Sequence, residues 1–290
     1  MSGRILDGRS IADLHRHDLT TRVAALTARA RVPTLAIVRF ADAGPEVAYA
    51  QSLARSASRI GIAPMDVRLA DHATMEEPAA AIGALNRDTT VAGIVVIYPL
   101  PAHLDPEAVG LLVDAAKDVD GASPVSAERL ARGEPAFVPA TAVAVLEILN
   151  HYQVPLAGRR AVVVGRSRVV GQPTATLLTA RGAKVEVAHS ETGDLAGTTR
   201  DAEILVVAAG VPALIGPESV NANAVVVDCG INVTHAGVVG DVDFDRVRPV
   251  VEAITPVPGG VGPVTTMMLL DQVVTAAEQA AHRLVKLATD

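Results

Sequence analysis

The segment Val162-Val-Val-Gly-Arg-Ser-Arg-Val-Val-Gly-Gln-Pro173 decides the fold class of this chain. It has the pattern of a buried strand, a glycine-containing turn and the start of a helix. Gly165 permits a tight turn, and Gly171 permits the helix to pack closely on the strand. A helix that begins there offers unpaired N–H groups and the positive end of its dipole to a pyrophosphate. Ser167 replaces the middle glycine of a dinucleotide-binding loop, so an ordinary strand-to-helix turn remains open.

The end of the following strand bears on which dinucleotide such a turn would bind. NAD sites usually place an Asp or Glu there, about 20 residues after the first glycine, to accept a hydrogen bond from the ribose 2′-hydroxyl. This strand ends at Ala188-His189-Ser190, with no acid at its tip. Arg166 and Arg168 in the turn, together with Ser190, suit a 2′-phosphate and favour NADP. Two alternatives stay open. Both arginines are simply solvated charges of the loop, or the site binds NAD beside Glu191.

Strand-like and helix-like segments alternate on both sides of this turn. The first series has β-type runs at Thr34–Phe40, Asp66–Ala70 and Val91–Ile97, and a second series begins at Arg160. Such alternation indicates parallel sheets with helical crossovers. An irregular segment with several Gly and Pro residues, Lys117–Pro139, is the candidate domain junction. We therefore predict two α/β domains with a cleft between them.

Composition and charge exclude several classes of function. Half of the 290 residues are hydrophobic but only 2% are aromatic, which suits Val- and Ile-rich strands buried on both faces. The net charge of −7 argues against nucleic acid or an anionic membrane as a partner. The single cysteine, Cys229, excludes an intramolecular disulfide and a thiolate metal cluster, and the eight histidines lack metal-ligand spacing, so no metal is predicted. With no signal peptide or membrane span, we expect a soluble cytoplasmic protein.

Short strings along the chain are more specific than this alternation. The most specific is Ile254-Thr-Pro-Val-Pro-Gly-Gly-Val-Gly-Pro-Val-Thr265. The turn from Gly165 to Pro173 is another of these strings. The others are Ile5-Leu-Asp-Gly8, Pro99-Leu-Pro101, Lys117-Asp-Val-Asp-Gly121, His189-Ser-Glu-Thr192, Val227-Asp-Cys-Gly-Ile-Asn232 and Val239-Gly-Asp-Val242. They follow the order of the methylenetetrahydrofolate dehydrogenase/cyclohydrolase family, which the chain resembles from end to end.

The resemblance implies two α/β domains with parallel sheets, the second a Rossmann-type NADP-binding domain, and a cleft that binds a tetrahydrofolate derivative. The first domain would be residues 1–140 and the second residues 141–263. The C-terminal helix, residues 264–290, would pack back on the first domain. A homodimer is implied as well.

The resemblance also implies the residues of the site. The family's pterin-holding aspartate falls on Asp120 and its stacking tyrosine on Tyr49, which makes these two the predicted catalytic and substrate-binding pair. The other predicted substrate-binding residues are Tyr98, Pro99, Gly262, Pro263 and Thr265. The predicted cofactor-binding residues are Gly165, Arg166, Ser167, Val170, Gly171, His189, Ser190, Gly210, Ile231 and Thr265.

Simpler structural roles are open for several of these residues. A pterin ring presents adjacent N–H donors that the carboxylate of Asp120 can accept as a pair. Asp118 and Asp120 equally suit a turn before Gly121. Tyr49 lies on a helix, where packing is the default role. The Pro-Gly-Gly segment is either a helix-entry turn or a place where glycine lets a flat ligand approach the backbone.

The chain departs from the family pattern on the folate side. The family's catalytic lysine, one helical turn after the tyrosine, is Leu53 here, and its partner glutamine is Ile97, followed by Tyr98. The family's Pro-Cys-Thr-Pro string is Pro139-Ala-Thr-Ala142, and a serine three residues before the tyrosine is Glu46. The cofactor side matches the family well, whereas the folate side has lost its polar centre.

These losses affect the cyclohydrolase step more than the dehydrogenase step. In the latter, the lone pair of the folate nitrogen drives a hydride from the methylene carbon, so no protein group must take a proton and alignment of two rings suffices. The cyclohydrolase step adds water and moves protons, and losing acid–base help costs about 10²–10⁴-fold in rate. We predict an NADP-dependent methylenetetrahydrofolate dehydrogenase of one-carbon metabolism with weak or absent cyclohydrolase activity.

Three alternatives remain open. The protein is bifunctional if Tyr49 and an ordered water cover for the missing lysine. It is a diverged paralogue if the folate half now serves a specialised pathway, with or without catalysis. An unrelated Rossmann oxidoreductase is the third alternative, and the Pro-Gly-Gly string argues against it.

Overall fold

The computed structural model describes residues 3–40, 42–235 and 237–289, with residues 284–289 described by their backbone alone. The strands are β1 (Arg4–Ile5), β2 (Thr34–Arg39), β3 (Ala63–Arg68), β4 (Val91–Val96), β5 (Arg160–Val164), β6 (Lys184–Ala188), β7 (Ile204–Val207), β8 (Val225–Asp228), β9 (Asn232–Thr234), β10 (Gly237–Val239) and β11 (Ala253–Ile254). The helices are α1 (Gly8–Thr27), α2 (Pro45–Arg59), α3 (Glu76–Arg87), α4 (Pro106–Gly110), α5 (Pro124–Ala131), α6 (Ala140–His151), α7 (Gly171–Ala180), α8 (Leu195–Arg200), α9 (Phe244–Val247) and α10 (Val261–Thr289), with a 3-10 turn at Pro217–Ser219.

These elements form two compact units. The six-stranded unit, named after its main sheet, contains the described residues up to Asp13 and the segment Pro139–Met268. The three-stranded unit contains Leu14–Val138 and the described residues from Leu269 onwards. The predicted fold class of two α/β domains with parallel sheets is confirmed.

The sheet of the six-stranded unit has the order β1-β11-β8-β7-β5-β6, and all neighbouring strands run parallel. Strands β5, β7 and β8 lie in its interior, and nearly all of their residues are buried. Their Val- and Ile-rich sequences are typical of strands covered on both faces. The antiparallel hairpin of β9 and β10 follows β8 and was not predicted.

The sheet of the three-stranded unit has the order β3-β2-β4, again parallel. The central strand β2 is buried, whereas the edge strand β3 alternates between half-buried and exposed residues. The side chains of Val38, Phe40, Ile82 and Ile94 belong to one buried cluster, which joins the sheet to α3.

The second part of α10 is bound within the three-stranded unit. The side-chain amide of Gln272 donates to the carbonyl oxygens of Val119 at 2.8 Å and Val138 at 3.0 Å. Arg22 of α1 forms an ion pair with Glu278 at 2.8 Å and another with Asp271. These contacts bind this part of α10 to the three-stranded unit, and the predicted domain bounds stay a prediction.

The first residues of the chain differ from the predicted division at residue 140. Residues before Leu14 group with the six-stranded unit because β1 pairs with β11, Arg4 opposite Ala253 and Ile5 opposite Ile254. A two-residue strand has too little periodicity to be recognised before its partner is known. Among the helices of the described part of the chain, none is long and apolar enough to cross a membrane.

Candidate functional site

The turn after β5 brings backbone segments so close that side chains do not fit. Gly165 has a φ of +121°, and a Cβ atom on it would lie 2.2 Å from the carbonyl oxygen of Ala208. A Cβ atom on Gly171 would lie 2.1 Å from the carbonyl oxygen of Gly165. The N–H of Gly165 donates to the carbonyl of Ala188 at 2.8 Å, so the turn is held between the carboxyl ends of β6 and β7. That edge is where α/β sheets bind their ligands.

A side chain of the turn accepts hydrogen bonds from the N–H groups at the start of α7. The hydroxyl oxygen of Ser167 accepts from the N–H groups of Val170 at 3.2 Å and Gly171 at 3.3 Å, and the N–H of Gln172 donates to the Ser167 carbonyl at 3.0 Å. The expectation of unpaired N–H groups is therefore wrong at these three positions. The serine in place of the middle glycine thus accepts hydrogen bonds from the N–H groups at the start of the helix, and an anion there would meet the helix dipole and the exposed side chains of the turn.

Predicted cofactor residues from two separate loops meet beside this turn. The guanidinium of Arg166 donates to a carboxylate oxygen of Glu191 at 2.9 Å. The backbone N–H of Glu191 donates to Nδ1 of His189 at 3.2 Å, and the N–H of His189 donates to the hydroxyl of Thr192 at 2.9 Å. The structure thus brings Arg166 together with the segment that contains His189 and Ser190.

A buried carboxylate that sequence reasoning missed supports two more predicted cofactor positions. Asp241 is fully buried, and one of its oxygens accepts from the N–H groups of Ala209 at 2.6 Å and Gly210 at 2.7 Å. Its other oxygen accepts from the side-chain amide of Asn232 at 2.8 Å. Asp241 therefore joins the loop after β7 to the segment after β8, where Ile231 lies with 68% of its side chain exposed.

A second buried carboxylate, Asp228, completes this arrangement. Its oxygens accept from the N–H groups of Gly230 at 2.9 Å, Asp241 at 3.0 Å and Val242 at 2.9 Å. Burial raises the pKa of Asp228 to about 6, a rise that these three hydrogen bonds oppose and the nearby Asp241 carboxylate reinforces. Asp228 and Asp241 both lie in strings that resemble the family. The sequence signal that would have identified them is an acidic residue at the end of an apolar run.

The Pro-Gly-Gly segment leads from β11 into α10. A Cβ atom on Gly260 would lie 2.6 Å from the carbonyl oxygen of Pro256, so this glycine is required by the turn itself. Around Gly262, in contrast, a Cβ atom would meet no atom within 4 Å. Pro263 follows in the first turn of α10, and the hydroxyl of Thr265 donates to the Val261 carbonyl at 3.1 Å. The turn itself therefore explains Gly260, whereas the approach of a flat ligand at Gly262 stays a prediction.

The two aspartates before Gly121 have different roles. Asp118 is buried, and it accepts from the N–H groups of Ala122 at 3.2 Å and Ser123 at 3.0 Å and from the Ser126 hydroxyl at 2.6 Å. Asp118 alone therefore shapes the turn. The structure gives the Asp120 carboxylate no hydrogen-bond partner among the described residues, and burial together with the Asp118 charge raises its pKa to about 7. An acceptor left without a donor in this way suits a ligand.

Two exposed tyrosines lie near this carboxylate. Tyr49 is 42% exposed and Tyr98 is 39% exposed. Burial of the phenol oxygen raises the pKa of each tyrosine, and the negative charge of Asp120 adds to both shifts. A cavity of about 10 Å³, close to the volume of one water molecule, is bordered by Tyr98, Asp118, Asp120 and Ser123. The predicted folate residues of the three-stranded unit therefore lie close together. They are Tyr49, Tyr98, Asp120 and Pro99, which follows Tyr98 and is exposed.

The positions of the family's lysine and glutamine are part of the apolar core. Leu53 is 1% exposed, on the buried face of α2 with Ala50 and Ala57, and Ile97 is 3% exposed at the end of β4. Neither side chain can accept or donate a proton. Among the described residues, no group of three or more His, Cys, Asp or Glu side chains is arranged to bind a metal ion.

Comparison with known proteins covers nearly the whole chain. Residues 6–120 match the catalytic domain of tetrahydrofolate dehydrogenase/cyclohydrolase, and residues 139–281 match its NAD(P)-binding domain. The bifunctional protein FolD of Parafrankia sp. (strain EAN1pec) is 48% identical over 277 residues, which are 94% of this chain and 99% of that protein.

Two solved structures resemble this chain along almost their full length. The bifunctional methylenetetrahydrofolate dehydrogenase/cyclohydrolase FolD of Campylobacter jejuni is 36% identical with a TM-score of 0.94, covering 96% of this chain and 99% of that one. The Trypanosoma brucei FolD, solved with NADP and an inhibitor, is 35% identical with a TM-score of 0.92, covering 97% and 99%. At this identity over both domains, the chain belongs to the tetrahydrofolate dehydrogenase/cyclohydrolase family.

Proposed function

We propose that the protein oxidises 5,10-methylenetetrahydrofolate to 5,10-methenyltetrahydrofolate with NADP as the electron acceptor. Membership of the family supports the dehydrogenase activity. The observation that supports this choice of substrate is the Asp120 carboxylate. It is half-buried beside two exposed tyrosines and accepts no hydrogen bond from the described residues. It offers two acceptor oxygens to the adjacent N–H donors of a pterin, and Tyr49 offers a ring face for stacking.

The six-stranded unit fits the phosphates and ribose of a dinucleotide. At Gly165 and Gly171 the backbone segments approach so closely that no larger residue fits, and this keeps the turn tight at the start of α7. Arg166 and Ser190 are exposed at its side and would hold a 2′-phosphate. Gly210 and Ile231 would line the site, supported from beneath by Asp241. NADP, when bound, supplies the acceptor for the hydride, and the NADP complex of the Trypanosoma brucei relative supports this choice.

The residues of this chain do little chemistry in the hydride step beyond orientation. Asp120 and Tyr49 would fix the pterin, and the folate nitrogen supplies the electron pair that releases the hydride. Because no protein base is needed, apolar side chains at Leu53 and Ile97 are compatible with this step. Their burial keeps water away from that part of the site.

The second candidate function is the cyclohydrolase reaction. Our expectation of weak or absent hydrolysis rests on Leu53 and Ile97 alone, whereas the relatives from Parafrankia and Campylobacter jejuni are both named as bifunctional proteins. The comparisons therefore favour the bifunctional alternative. In that case Tyr49 and an ordered water would manage the protons in place of the family's lysine. The homodimer implied by the resemblance and the cytoplasmic location expected from the sequence stay predictions.

A paired assay on the purified protein tests both activities. We expect NADPH to form from methylenetetrahydrofolate and NADP, and we would follow the hydrolysis of methenyltetrahydrofolate separately. Hydrolysis well above the uncatalysed rate would establish the bifunctional enzyme, and hydrolysis at the uncatalysed rate would establish a monofunctional dehydrogenase. Absence of both activities would refute the proposal and favour a paralogue with another use for folate.

Gly262→Ala separates a ligand role from a structural role at the Pro-Gly-Gly segment. The new methyl group meets no atom within 4 Å, and alanine within a helix is favoured over glycine by roughly 0.5–1 kcal/mol. We expect an unchanged or slightly higher melting temperature and a KM for methylenetetrahydrofolate raised about tenfold, because the methyl group blocks a flat ligand. Thermal unfolding and steady-state kinetics measure the two effects. An unchanged KM would show that Gly262 does not line the substrate site.

A further inference from the structure

The arginine expected at the cofactor 2′-phosphate is already engaged by an acid of its own chain. The Arg166 guanidinium pairs with the Glu191 carboxylate at 2.9 Å. The side chains are 52% and 71% exposed respectively, so a ligand from solvent can reach both. The hydrogen bond from the Glu191 N–H to His189 and the one from His189 to Thr192 hold the turn that presents this acid.

The negative charge of Glu191 affects the binding of NADP and NAD differently. A 2′-phosphate that binds Arg166 must take the guanidinium donors from Glu191 and must come close to its negative charge. A ribose with a free 2′-hydroxyl carries no charge there, and a carboxylate next to it is an acceptor for that hydroxyl. The same acid thus opposes NADP and tolerates NAD.

We propose that Glu191 is a specificity-determining residue that competes with the adenosine 2′-phosphate for Arg166 and so narrows the preference of this enzyme for NADP over NAD. The inference rests on the proposed NADP site. It assigns to Glu191 a role that does not depend on which folate reaction the protein performs.

The test measures binding of two probes, adenosine 2′,5′-bisphosphate and adenosine 5′-monophosphate, to the purified full-length protein by titration calorimetry. Glu191→Gln removes the charge and keeps the shape. It should tighten binding of the bisphosphate about two- to fivefold, which is the range expected for the loss of an exposed ion pair. Binding of the monophosphate should be unchanged or weaker. The gain should shrink at high salt, because exposed charges are screened.

A matched control is Glu186→Gln, which removes the acid of another exposed ion pair, with Arg160 at 3.2 Å on β5 and β6. It should not alter the ratio of the two affinities. In an Arg166→Ala background, Glu191→Gln should change that ratio less than in the native chain, because the guanidinium for which Glu191 and the phosphate compete is absent.

The outcomes separate the inference from the function on which it rests. If the native protein binds the bisphosphate more tightly than the monophosphate but Glu191→Gln leaves the ratio unchanged, the role of Glu191 is overturned while the NADP site stands. An equal gain with and without Arg166 would overturn the competition. If neither probe binds the native protein or the variant, the proposed cofactor site itself is wrong.

Discussion

Asp120→Ala is expected to weaken the binding of methylenetetrahydrofolate by about 10- to 100-fold while NADP affinity stays within about twofold. Hydrogen bonds to a charged acceptor contribute about 1.5–3 kcal/mol, and each 1.4 kcal/mol is a factor of ten in Kd. Because Asp120 makes no hydrogen bond to the described residues, its loss should leave the turn intact. Separate calorimetric titrations with the folate and with NADP measure the two affinities.

Asp118→Ala is the contrasting variant. It removes the acceptor of three hydrogen bonds, of which those from Ser123 and Ser126 are buried and that from Ala122 is partly buried. It should therefore lower the melting temperature, which Asp120→Ala should not. If Asp120→Ala weakens NADP and folate binding equally, or lowers the melting temperature as much as Asp118→Ala, Asp120 does not hold the pterin.

The raised pKa of Asp120 makes the same interaction dependent on pH. A pKa of about 7 means that the free protein carries a protonated carboxyl below neutrality, and only the carboxylate accepts from two N–H donors. Folate affinity should therefore rise with pH, by about tenfold between pH 6 and pH 8, as the binding-competent fraction grows. Asp120→Asn should bind weakly at both pH values and lose this dependence.

Gly171→Ala is expected to abolish measurable NADP binding and to destabilise the six-stranded unit. Its Cβ atom would lie 2.1 Å from the Gly165 carbonyl oxygen and 3.1 Å from the Arg166 nitrogen, all backbone atoms of the turn. Backbone displacement of this kind costs about 1–3 kcal/mol or more, and it moves the groups that face the phosphates. Thermal unfolding and NADP titration measure the two losses.

Gly193→Ala is the matched control for this prediction. Gly193 is exposed, lies in the loop after β6, and a Cβ atom on it would meet nothing within 4 Å. Its variant should keep the native melting temperature and NADP affinity. Native NADP binding by Gly171→Ala would mean that the close approach of α7 to the turn is not what forms the cofactor site.

Local patterns in the sequence were sufficient for the fold class, although not for the short strand β1 or the hairpin of β9 and β10. Val- and Ile-rich runs such as Ile204–Val207 predict strands buried on both faces, and their alternation with helices predicts parallel pairing. The glycines of the turn after β5 could be identified from their spacing. These features are local, because strand and helix periodicity and a glycine's backbone freedom depend on residues close along the chain.

The folded structure decided which polar groups already have hydrogen-bond partners within the chain. The residues around Gly121 suited either aspartate to shape the turn, and only the resemblance assigned Asp120 to a pterin. The fold gives two N–H groups of the turn to Asp118, and Asp120 accepts no hydrogen bond from the described residues. The fold also joined the Ser167 hydroxyl to the N–H of Gly171, paired Arg166 with Glu191, and buried Asp241 beneath Gly210. The physical reason is that a side chain's hydrogen-bond partners are the donors that the folded backbone brings within about 3 Å, whether they are near or distant along the chain, and residue spacing does not encode that distance.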